Sequence, residues 1–384
     1  MKIETLCLHS SDFKNEYGCL TTPIYQTSTF VHEGVEDTSK YSYSRLANPT
    51  RCHLESLVAK LENGYSAFAF SSGMAAITTA IKLIKPPAHI IASDDLYGGS
   101  IRLFSNDALS YGYEFDFIDT SNLELVKSKI RKDTKAIYIE TPSNPLMHVS
   151  DIKEIANIAK ANNLLFFVDN TFLTPYFQRP LDLGADIVVH SGTKFLGGHN
   201  DALAGFAIVK NSELNDRLAY LYKTVGACLS PFDSFLIERG VKTLPLRMDR
   251  INSNAKVVAN WLRENPIVNK VYYAGFEDSS GYSTMLKQSS GFGGMISFEL
   301  KESRYVLQIL QSVKVFQYAE SLGGVESLIT FPKKQTHADV PEDILNAKGI
   351  NDRFLRISVG IENVEDLIKD LKQAFKVWNT ILIN

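Results

Sequence analysis

The sequence predicts an α/β fold, in which a mostly parallel sheet is covered by helices on both faces and is followed by a smaller C-terminal α+β domain. Between about residues 50 and 210, short runs rich in Val, Ile, Phe or Tyr alternate with helical patterns. The runs are apolar along their whole length, which is typical of parallel strands buried on both faces. After about residue 240 this alternation stops, which indicates the second domain.

A helix is predicted to begin at Pro49, to carry Leu54, Leu57, Val58 and Leu61 on one face, and to end at Asn63-Gly64. Strand-length apolar runs follow, most of them separated by a helical stretch such as DIKEIANIAKANN. These runs are SAFAF (66–70), HIIAS (89–93), YEFDFI (113–118), KAIYIE (135–140), LLFFVD (164–169) and ADIVVHS (185–191). Because ligands bind beyond the carboxyl ends of the strands in such a sheet, the residues that follow each run are candidates for chemistry.

In the C-terminal part, LPLRMDRINSNAKVVANWLREN predicts one long helix, and GGMISFEL (293–300) and FLRISVG (354–360) predict strands. The amphipathic segment VEDLIKDLKQAFKVWN predicts a closing helix. The predicted organisation is therefore an N-terminal arm at residues 1–48, a larger domain at 49–240 and a smaller domain at 241–384.

The composition is that of an ordinary globular protein, with 45% hydrophobic and 22% charged residues among 384. A formal net charge of −3 gives no reason to expect nucleic acid or an anionic membrane surface as a partner. The sequence has neither the apolar core of a signal peptide nor an apolar run of about 18 residues, so we expect neither secretion nor a membrane span.

The cysteines and histidines do not indicate a disulfide framework or a metal site. The four cysteines are scattered without C-x-x-C spacing and are predicted to be reduced thiols of a cytoplasmic protein: Cys7, Cys19, Cys52 and Cys228. His190, His199 and His337 lack the spacing of metal ligands on a common helix, so structural roles are predicted for them and no metal is expected.

Two neighbouring strand ends carry the most informative polar residues. LLFFVD ends in Asp169, a carboxylate that is costly to bury unless a cationic or hydrogen-bonding group meets it. The next run leads directly into Ser191, Thr193 and Lys194. The two hydroxyls suit a phosphate group, and the lysine supplies an amine nucleophile.

Two further strand ends complete the set. Gly73 and Met74 lie between the SAFAF run and a helix, whose first amides and dipole suit an anion. Tyr97 follows the HIIAS run and places an aromatic ring at the same edge. Singly, each residue has an ordinary structural explanation, such as a helix cap, a turn or a solvated side chain. Together they match pyridoxal phosphate, which needs an amine for a Schiff base, a carboxylate for its ring nitrogen, a stacking ring and phosphate donors.

The sequence resembles, over nearly its whole length, the Cys/Met-metabolism (transsulfuration) family of pyridoxal-phosphate enzymes, which have fold type I. The similarity is clear from TTPIYQTSTF (21–30) to RISVGIENVEDL (356–367). The motifs that carry it are YSRLANPT (43–50), FSSGMAA (70–76), LYGGS (96–100), ETPSNP (140–145), VDNTF (168–172), HSGTKFLGGHND (190–201), SPFDS (230–234) and ESLGGVESL (320–328).

The resemblance implies roles at the cofactor. Lys194 matches the Schiff-base lysine that also shuttles protons between substrate carbons, and Asp169 matches the partner of the pyridine nitrogen. Tyr97 matches the tyrosine that stacks on the ring and helps to take up the amino proton. The phosphate-binding positions correspond to Ser191, Thr193 and the amides of Gly73 and Met74.

The resemblance also implies a homo-oligomer with shared active sites. Tyr43 and Arg45 match residues that bind the phosphate in the neighbouring subunit, so the arm at 1–48 is expected to contribute to that site. Residues 49–240 then correspond to the cofactor-binding domain. A catalytic dimer is the minimum that this implies, and the family usually forms tetramers.

The substrate positions point to a cystathionine-type amino acid. Arg356 matches the arginine that clamps the substrate α-carboxylate, and Asn144 and Ser321 match residues of the same site. Glu320 stands where cystathionine γ-synthases and γ-lyases carry Glu, β-lyases an aromatic residue and methionine γ-lyases an aliphatic one. Arg102 matches a γ-lyase arginine near the distal carboxylate.

Two positions bear on the alternatives. Gly99 stands where methionine γ-lyases place a reactive cysteine, which argues against that activity. Ser42 replaces a residue that is often acidic in members that act on cystathionine, so a smaller thiol or sulfide substrate stays open.

The predicted function is γ-replacement or γ-elimination by a cystathionine γ-synthase or γ-lyase of cysteine and methionine metabolism. The alternatives are cystathionine β-lyase, O-acetylhomoserine sulfhydrylase and methionine γ-lyase. Outside this group stand an aminotransferase and a non-catalytic relative of the same fold.

Overall fold

The structure is a computed structural model that describes residues 1–9, 17–338 and 342–376. Its strands form two separate sheets. The larger sheet contains β1 (Ser66–Phe70), β2 (Ala88–Ser93), β3 (Tyr113–Ile118), β4 (Thr134–Glu140), β5 (Leu165–Asp169), β6 (Ile187–Ser191) and β7 (Gly205–Val209). The smaller sheet contains β8 (Val268–Tyr272), β9 (Met295–Leu300), β10 (Gln317–Tyr318), β11 (Leu328–Thr330) and β12 (Phe354–Ser358).

The helices connect and cover these strands. Before and within the larger sheet lie α1 (Ile3–His9), α2 (Pro49–Leu61), α3 (Gly73–Ile81), α4 (Gly98–Arg102), α5 (Ala108–Ser110), α6 (Leu123–Ser128), α7 (Ile152–Ala161) and α8 (Thr174–Phe177). After it lie α9 (Ser212–Val225), α10 (Pro231–Val241), α11 (Leu244–Glu264), α12 (Tyr282–Gln288), α13 (Val306–Ser312), α14 (Glu342–Ala347) and α15 (Val364–Lys376). Short turns of π-helix at Leu103–Asp107 and of 3₁₀-helix at Ser303–Tyr305 and Pro332–Lys334 complete the helical structure of the described ranges.

The larger sheet has the strand order β1-β7-β6-β5-β4-β2-β3 and confirms the predicted mostly parallel architecture. Only β7 runs in the direction opposite to that of the other six strands. Strand β7 is absent from the strands that the sequence predicts, although Gly205–Val209 is a fully buried apolar run. A glycine-containing loop rather than a helix connects it to β6, and a βαβ pattern therefore does not reveal it.

Helices cover both faces of this sheet, as the uninterrupted apolar strands predict. Successive residues of β5 point to opposite faces. Phe166 and Val168 belong to the same buried cluster as the apolar residues of α2 and α7. Phe167 belongs to a second cluster on the other face, together with residues of α3 and α9.

The smaller sheet has the order β10-β11-β12-β9-β8, and its pairs are antiparallel except for β10 with β11. The helix α11 links the two cores, because Met248 and Ile251 pack with the larger domain whereas Val258 and Leu262 pack with the smaller one. The predicted domain boundary near residue 240 lies at the start of this helix. The last residues of the predicted closing helix, 377–379, lie outside the described residues.

Parts of both sheets position the candidate site residues. The carboxyl ends of β4, β5 and β6 lie side by side, with Glu140 in register with Asp169 and Asp169 in register with Val189. From the smaller sheet, β12 and the segment between β10 and β11 approach the same edge and contribute Arg356 and Ser321. Within the described ranges, no helix has the length and apolarity needed to cross a membrane.

Candidate active site

A cavity lies at the carboxyl ends of β4 to β6, with about 840 Å³ of space including the solvent at its mouth. It brings together most of the site residues that the sequence predicts: Gly73, Met74, Tyr97, Asn144, Asp169, Ser191, Thr193, Lys194, Glu320, Ser321 and Arg356. It also contains residues for which the sequence analysis predicted no role, among them Glu140, Thr171 and Thr336. Both domains therefore contribute to one site, as expected for a ligand at this edge of the sheet.

Lys194 is a buried lysine whose amine is held at a fixed position. It lies three residues beyond the end of β6, and its Nζ donates a hydrogen bond to Ser321 Oγ at 3.0 Å. Burial and the nearby charge of Arg356 lower the pKa of the Lys194 amine to about 8, against the opposing effect of Glu320. The amine is therefore closer to its neutral, nucleophilic form at physiological pH than an exposed lysine is.

We expect the apo protein to react with added pyridoxal phosphate at a rate that rises with pH up to about 8 and then levels off. Only the deprotonated amine attacks the aldehyde, and lowering the pH below 8 protonates it. The rate is measured by stopped-flow absorbance, with Lys194→Ala protein to subtract labelling at other lysines. A rate that kept rising towards pH 10.5, the ordinary lysine value, would contradict the lowered pKa.

Residues 321–323, which include the hydrogen-bond acceptor of Lys194, have a strained and closely packed backbone. Ser321 has a φ of 131°, a conformation that non-glycine residues rarely adopt, and such strain is commonly stored at functional sites. Gly323 has a φ of +79°, and a Cβ there would lie 2.6 Å from the Phe195 nitrogen. The Gly323 N–H donates to Ser358 Oγ at 2.8 Å, which ties the segment to β12.

Asp169 ends β5 and turns its carboxylate into the cavity. Its Oδ1 accepts a hydrogen bond from the Thr171 N–H at 3.0 Å. Burial raises the pKa of the Asp169 carboxyl above its usual value, while hydrogen bonds from Thr171 and the charge of His190 act in the opposite direction. A cationic ring nitrogen beside this carboxylate would offset the cost of its burial.

The opposite end of the cavity suits a phosphate group. Gly73 and Met74 begin α3, where the first main-chain N–H groups have no partner within the helix. A Cβ at Gly73 would lie 2.9 Å from Ser191 Cβ, so glycine permits this close approach of the helix to the strand end. The Thr193 hydroxyl lies at the same end and donates to the Ala204 carbonyl at 3.2 Å.

Arg356 provides a buried cation for a carboxylate. It is 1% exposed; its Nη1 donates to Asn144 Oδ1 at 2.8 Å and its Nη2 to the Ser321 carbonyl at 3.2 Å. Among the described residues, its buried Nε has no hydrogen-bond partner. Burial lowers the pKa of Arg356 to about 10 despite the nearby carboxyls of Glu140 and Glu320. Because an unpaired buried donor on a guanidinium is costly, the site is suited to an anionic ligand group.

Tyr97 lies at the start of α4, and a carboxyl group holds its main chain. The Tyr97 N–H donates to Glu140 Oε2 at 2.9 Å. Burial and Glu320 raise the pKa of the Tyr97 hydroxyl, and Arg102 and Arg356 partly offset this. Glu140 ends a buried apolar strand, as Asp169 does. Its position at a strand end is the sequence feature from which Glu140 could have been predicted as a site residue.

Three predicted residues do not line the cavity of the described chain. Arg102 ends α4 and acts electrostatically on Tyr97. Tyr43 is 43% exposed, and the Arg45 guanidinium lies 5.4 Å from its ring and donates to the Lys223 carbonyl at 2.8 Å. The role of Tyr43 and Arg45 in a neighbouring subunit therefore stays a proposal.

The three histidines do not form a common site. His190 Nε2 lies 2.6 Å from Glu62 Oε1 in the interior, and His199 contacts a main-chain carbonyl through Nδ1 at 2.8 Å. Burial and the charge of Arg356 lower the pKa of His337 to about 4. In the parts of the chain that the structure describes, no three His, Cys, Asp or Glu residues are grouped as a metal ion requires.

Comparison with known proteins indicates pyridoxal phosphate, the cofactor that the sequence predicts. The family profile for Cys/Met metabolism PLP-dependent enzymes matches residues 4–376. Cystathionine beta-lyase of Lactococcus lactis subsp. cremoris is 48% identical over 94% of both chains, and cystathionine gamma-synthase of Haemophilus influenzae is 46% identical over 97% of both.

A crystal structure of cystathionine gamma-lyase from Lactobacillus plantarum, complexed with L-serine, superimposes with a TM-score of 0.95 at 42% identity. The superposition covers 98% of this chain and 99% of that one. The family uses pyridoxal 5'-phosphate, and the buried amine, carboxylate, helix N-terminus and hydroxyls described above fit that cofactor. The chain belongs to the Cys/Met-metabolism family of pyridoxal phosphate-dependent enzymes.

Proposed function

We propose that this enzyme catalyses γ-replacement or γ-elimination on a cystathionine-type amino acid, as a cystathionine γ-synthase or γ-lyase does. The observation that carries this proposal is the position of Glu320. Glu320 lines the cavity together with Lys194 and Arg356, and it also lines a second depression next to the cavity. A substrate bound by Arg356 would therefore extend past Glu320 with its distal end.

The residues of the cavity have distinct tasks in this proposal. Arg356 and Asn144 bind the substrate α-carboxylate, and Tyr97 stacks on the cofactor ring. Bound pyridoxal phosphate supplies the electron sink that stabilises negative charge at the substrate Cα. Lys194 Nζ removes the proton from the substrate Cα and delivers it to a later carbon of the substrate side chain. The hydrogen bond to Ser321 Oγ holds the Lys194 amine in the cavity where the substrate binds.

The walls of the second depression suit a distal ammonium group. Its described lining includes the acids Asp201, Asp233 and Glu320 and no lysine, arginine or histidine. Cystathionine carries an amino-acid group at its far end, and its ammonium would meet these carboxylates. In this proposal these carboxylates bind the distal ammonium group, because the N-terminal arm has Ser42 in place of the acidic residue expected for that task.

A second candidate is cystathionine β-lyase, because the Lactococcus relative of that name is as similar as the γ-acting relatives. O-acetylhomoserine sulfhydrylase also stays an alternative, since it needs only a smaller thiol. Methionine γ-lyase is less well supported. A Cβ at Gly99 would lie 2.5 Å from the Tyr97 ring and 3.0 Å from Met74 Sδ, so the cysteine typical of that activity would displace the ring.

We expect cystathionine and water to yield cysteine, 2-oxobutanoate and ammonia, or an O-acylhomoserine and cysteine to yield cystathionine and the free acid. Purified enzyme is incubated with cystathionine alone, and separately with O-acetyl- or O-succinylhomoserine plus cysteine. The products are identified by mass spectrometry, with Lys194→Ala protein as the control. If cystathionine gave only pyruvate, homocysteine and ammonia, the γ-assignment would be replaced by β-lyase.

We also propose that the enzyme is a homo-oligomer, a tetramer built from catalytic dimers, in which each arm completes the neighbouring site. Leu20, Val31 and Val35 on the arm are each at least 95% exposed, as expected of a segment that packs against another subunit. A cytoplasmic location is proposed because none of the four cysteines, all of them within the described residues, forms a disulfide.

A further inference from the structure

A second carboxyl group lies beside Asp169, and the proposed mechanism assigns no task to it. Glu140 ends β4, is 5% exposed and is in register with Asp169 on the adjacent strand. It lines the same cavity. A buried carboxyl group at this position is costly, so its contacts deserve an explanation.

The main contact of Glu140 is with the backbone that carries the Tyr97 ring. Glu140 Oε2 accepts the Tyr97 N–H at 2.9 Å, across 43 residues of sequence. On the other side, the Tyr97 carbonyl accepts the N–H groups of Ser100 and Ile101 in the first turn of α4. Glu140 therefore anchors the N-terminal side of Tyr97 to the sheet, while the helix fixes its C-terminal side.

The Tyr97 ring itself is only loosely enclosed. It is 36% exposed, and it lies directly over Gly99, where any Cβ would collide with it. Because Tyr97 is partly exposed, we expect the position of its ring to depend on the main chain from which the ring projects.

The surroundings of Glu140 favour its uncharged form. Burial and the carboxyls of Asp169 and Asp95 raise its pKa well above the usual value, and the Tyr97 N–H and the charge of Arg356 only partly oppose them. Two carboxyl groups at adjacent strand ends do not both ionise readily. A cationic ring nitrogen beside Asp169 would favour ionisation of Asp169, and the Asp169 charge in turn opposes ionisation of Glu140.

We infer that Glu140 is a positioning residue: its carboxyl oxygen fixes the Tyr97 main chain and thereby the ring over the cofactor. This inference rests on the proposed stacking role of Tyr97. It does not depend on which sulfur amino acid is the substrate.

Two substitutions separate the contact from the charge. Glu140→Gln keeps an acceptor oxygen at the same reach without an ionisable group, whereas Glu140→Asp keeps the acid but shortens the side chain by one methylene. The dissociation constant of pyridoxal phosphate for apo protein is measured by fluorescence, and the induced circular dichroism of the bound cofactor reports the ring environment. Thermal unfolding of each apo variant monitors folding.

We expect Glu140→Gln to bind the cofactor with nearly native affinity and dichroism. Glu140→Asp should bind about ten-fold more weakly, as expected when one buried N–H loses its partner. Native affinity in both variants, or weak binding by Glu140→Gln, would overturn the inference.

A double-mutant cycle tests whether Glu140 acts through Tyr97. In a Tyr97→Leu background, Glu140→Asp should cause no further loss of cofactor affinity, because the ring it positions is absent. Additive losses would overturn the inference while leaving the stacking role intact. If Tyr97→Leu alone bound the cofactor as the native protein does, the stacking role would be wrong, and the inference would fail with it.

Discussion

Replacing Lys194 with alanine is expected to lower kcat by roughly 10⁴-fold or more, because one side chain supplies both the covalent attachment and the proton transfer. No other lysine lines the described cavity, so none is placed to replace it. The measurement is steady-state turnover of cystathionine, together with the visible absorbance of the purified protein, which should lose the band of the attached cofactor.

A suitable control is Lys127→Ala, which removes an exposed lysine on α6 that pairs with Glu124. This variant should keep native turnover and absorbance. If Lys194→Ala retained turnover within ten-fold of the native enzyme, the assignment of the attachment site would be wrong.

Replacing Arg356 with lysine is expected to lower kcat/KM by about 10²- to 10³-fold, chiefly through KM, although the positive charge is kept. Arg356 binds Asn144 and the Ser321 carbonyl with its two terminal nitrogens and leaves Nε for a ligand, whereas a lysine has a single ammonium group. The kinetic constants are measured with cystathionine over a wide concentration range.

The matched control is Arg353→Lys on the same segment of chain. Arg353 pairs with Glu299 and is absent from the lining of the cavity. It should therefore leave KM unchanged. An Arg356→Lys enzyme with native KM and reduced kcat would show that Arg356 acts on the chemical step rather than on substrate binding.

Much of this site can be predicted from the order of strands, turns and helices in the sequence. Asp169 ends one buried strand and Lys194 follows the next, and the carboxyl ends of parallel strands meet at one edge of a sheet. The sequence therefore predicts their proximity without any knowledge of loops. The glycine and methionine that open α3 are predicted in the same way, from a strand followed by a small-residue turn and a helix.

Other features depend on long-range contacts that no local pattern encodes. The partner of Glu140 is a main-chain N–H, which any residue type could supply, so Glu140 resembles an ordinary strand-end acid in the sequence. The φ of 131° at Ser321 occurs in a segment whose neighbour Gly323 is bonded to Ser358, a residue 35 positions further along the chain. The expectation for Tyr43 and Arg45 came only from family resemblance, because their proposed partner belongs to another chain.

The most direct test of the central claim is to reduce the purified protein with borohydride and map the modified peptide by mass spectrometry. Reduction converts a Schiff base into a stable secondary amine, so the attachment point is recorded covalently. The assignment of Lys194 as the attachment site predicts a phosphopyridoxyl group on that residue in nearly every chain. A group on another lysine, or none on protein supplied with excess cofactor, would contradict it.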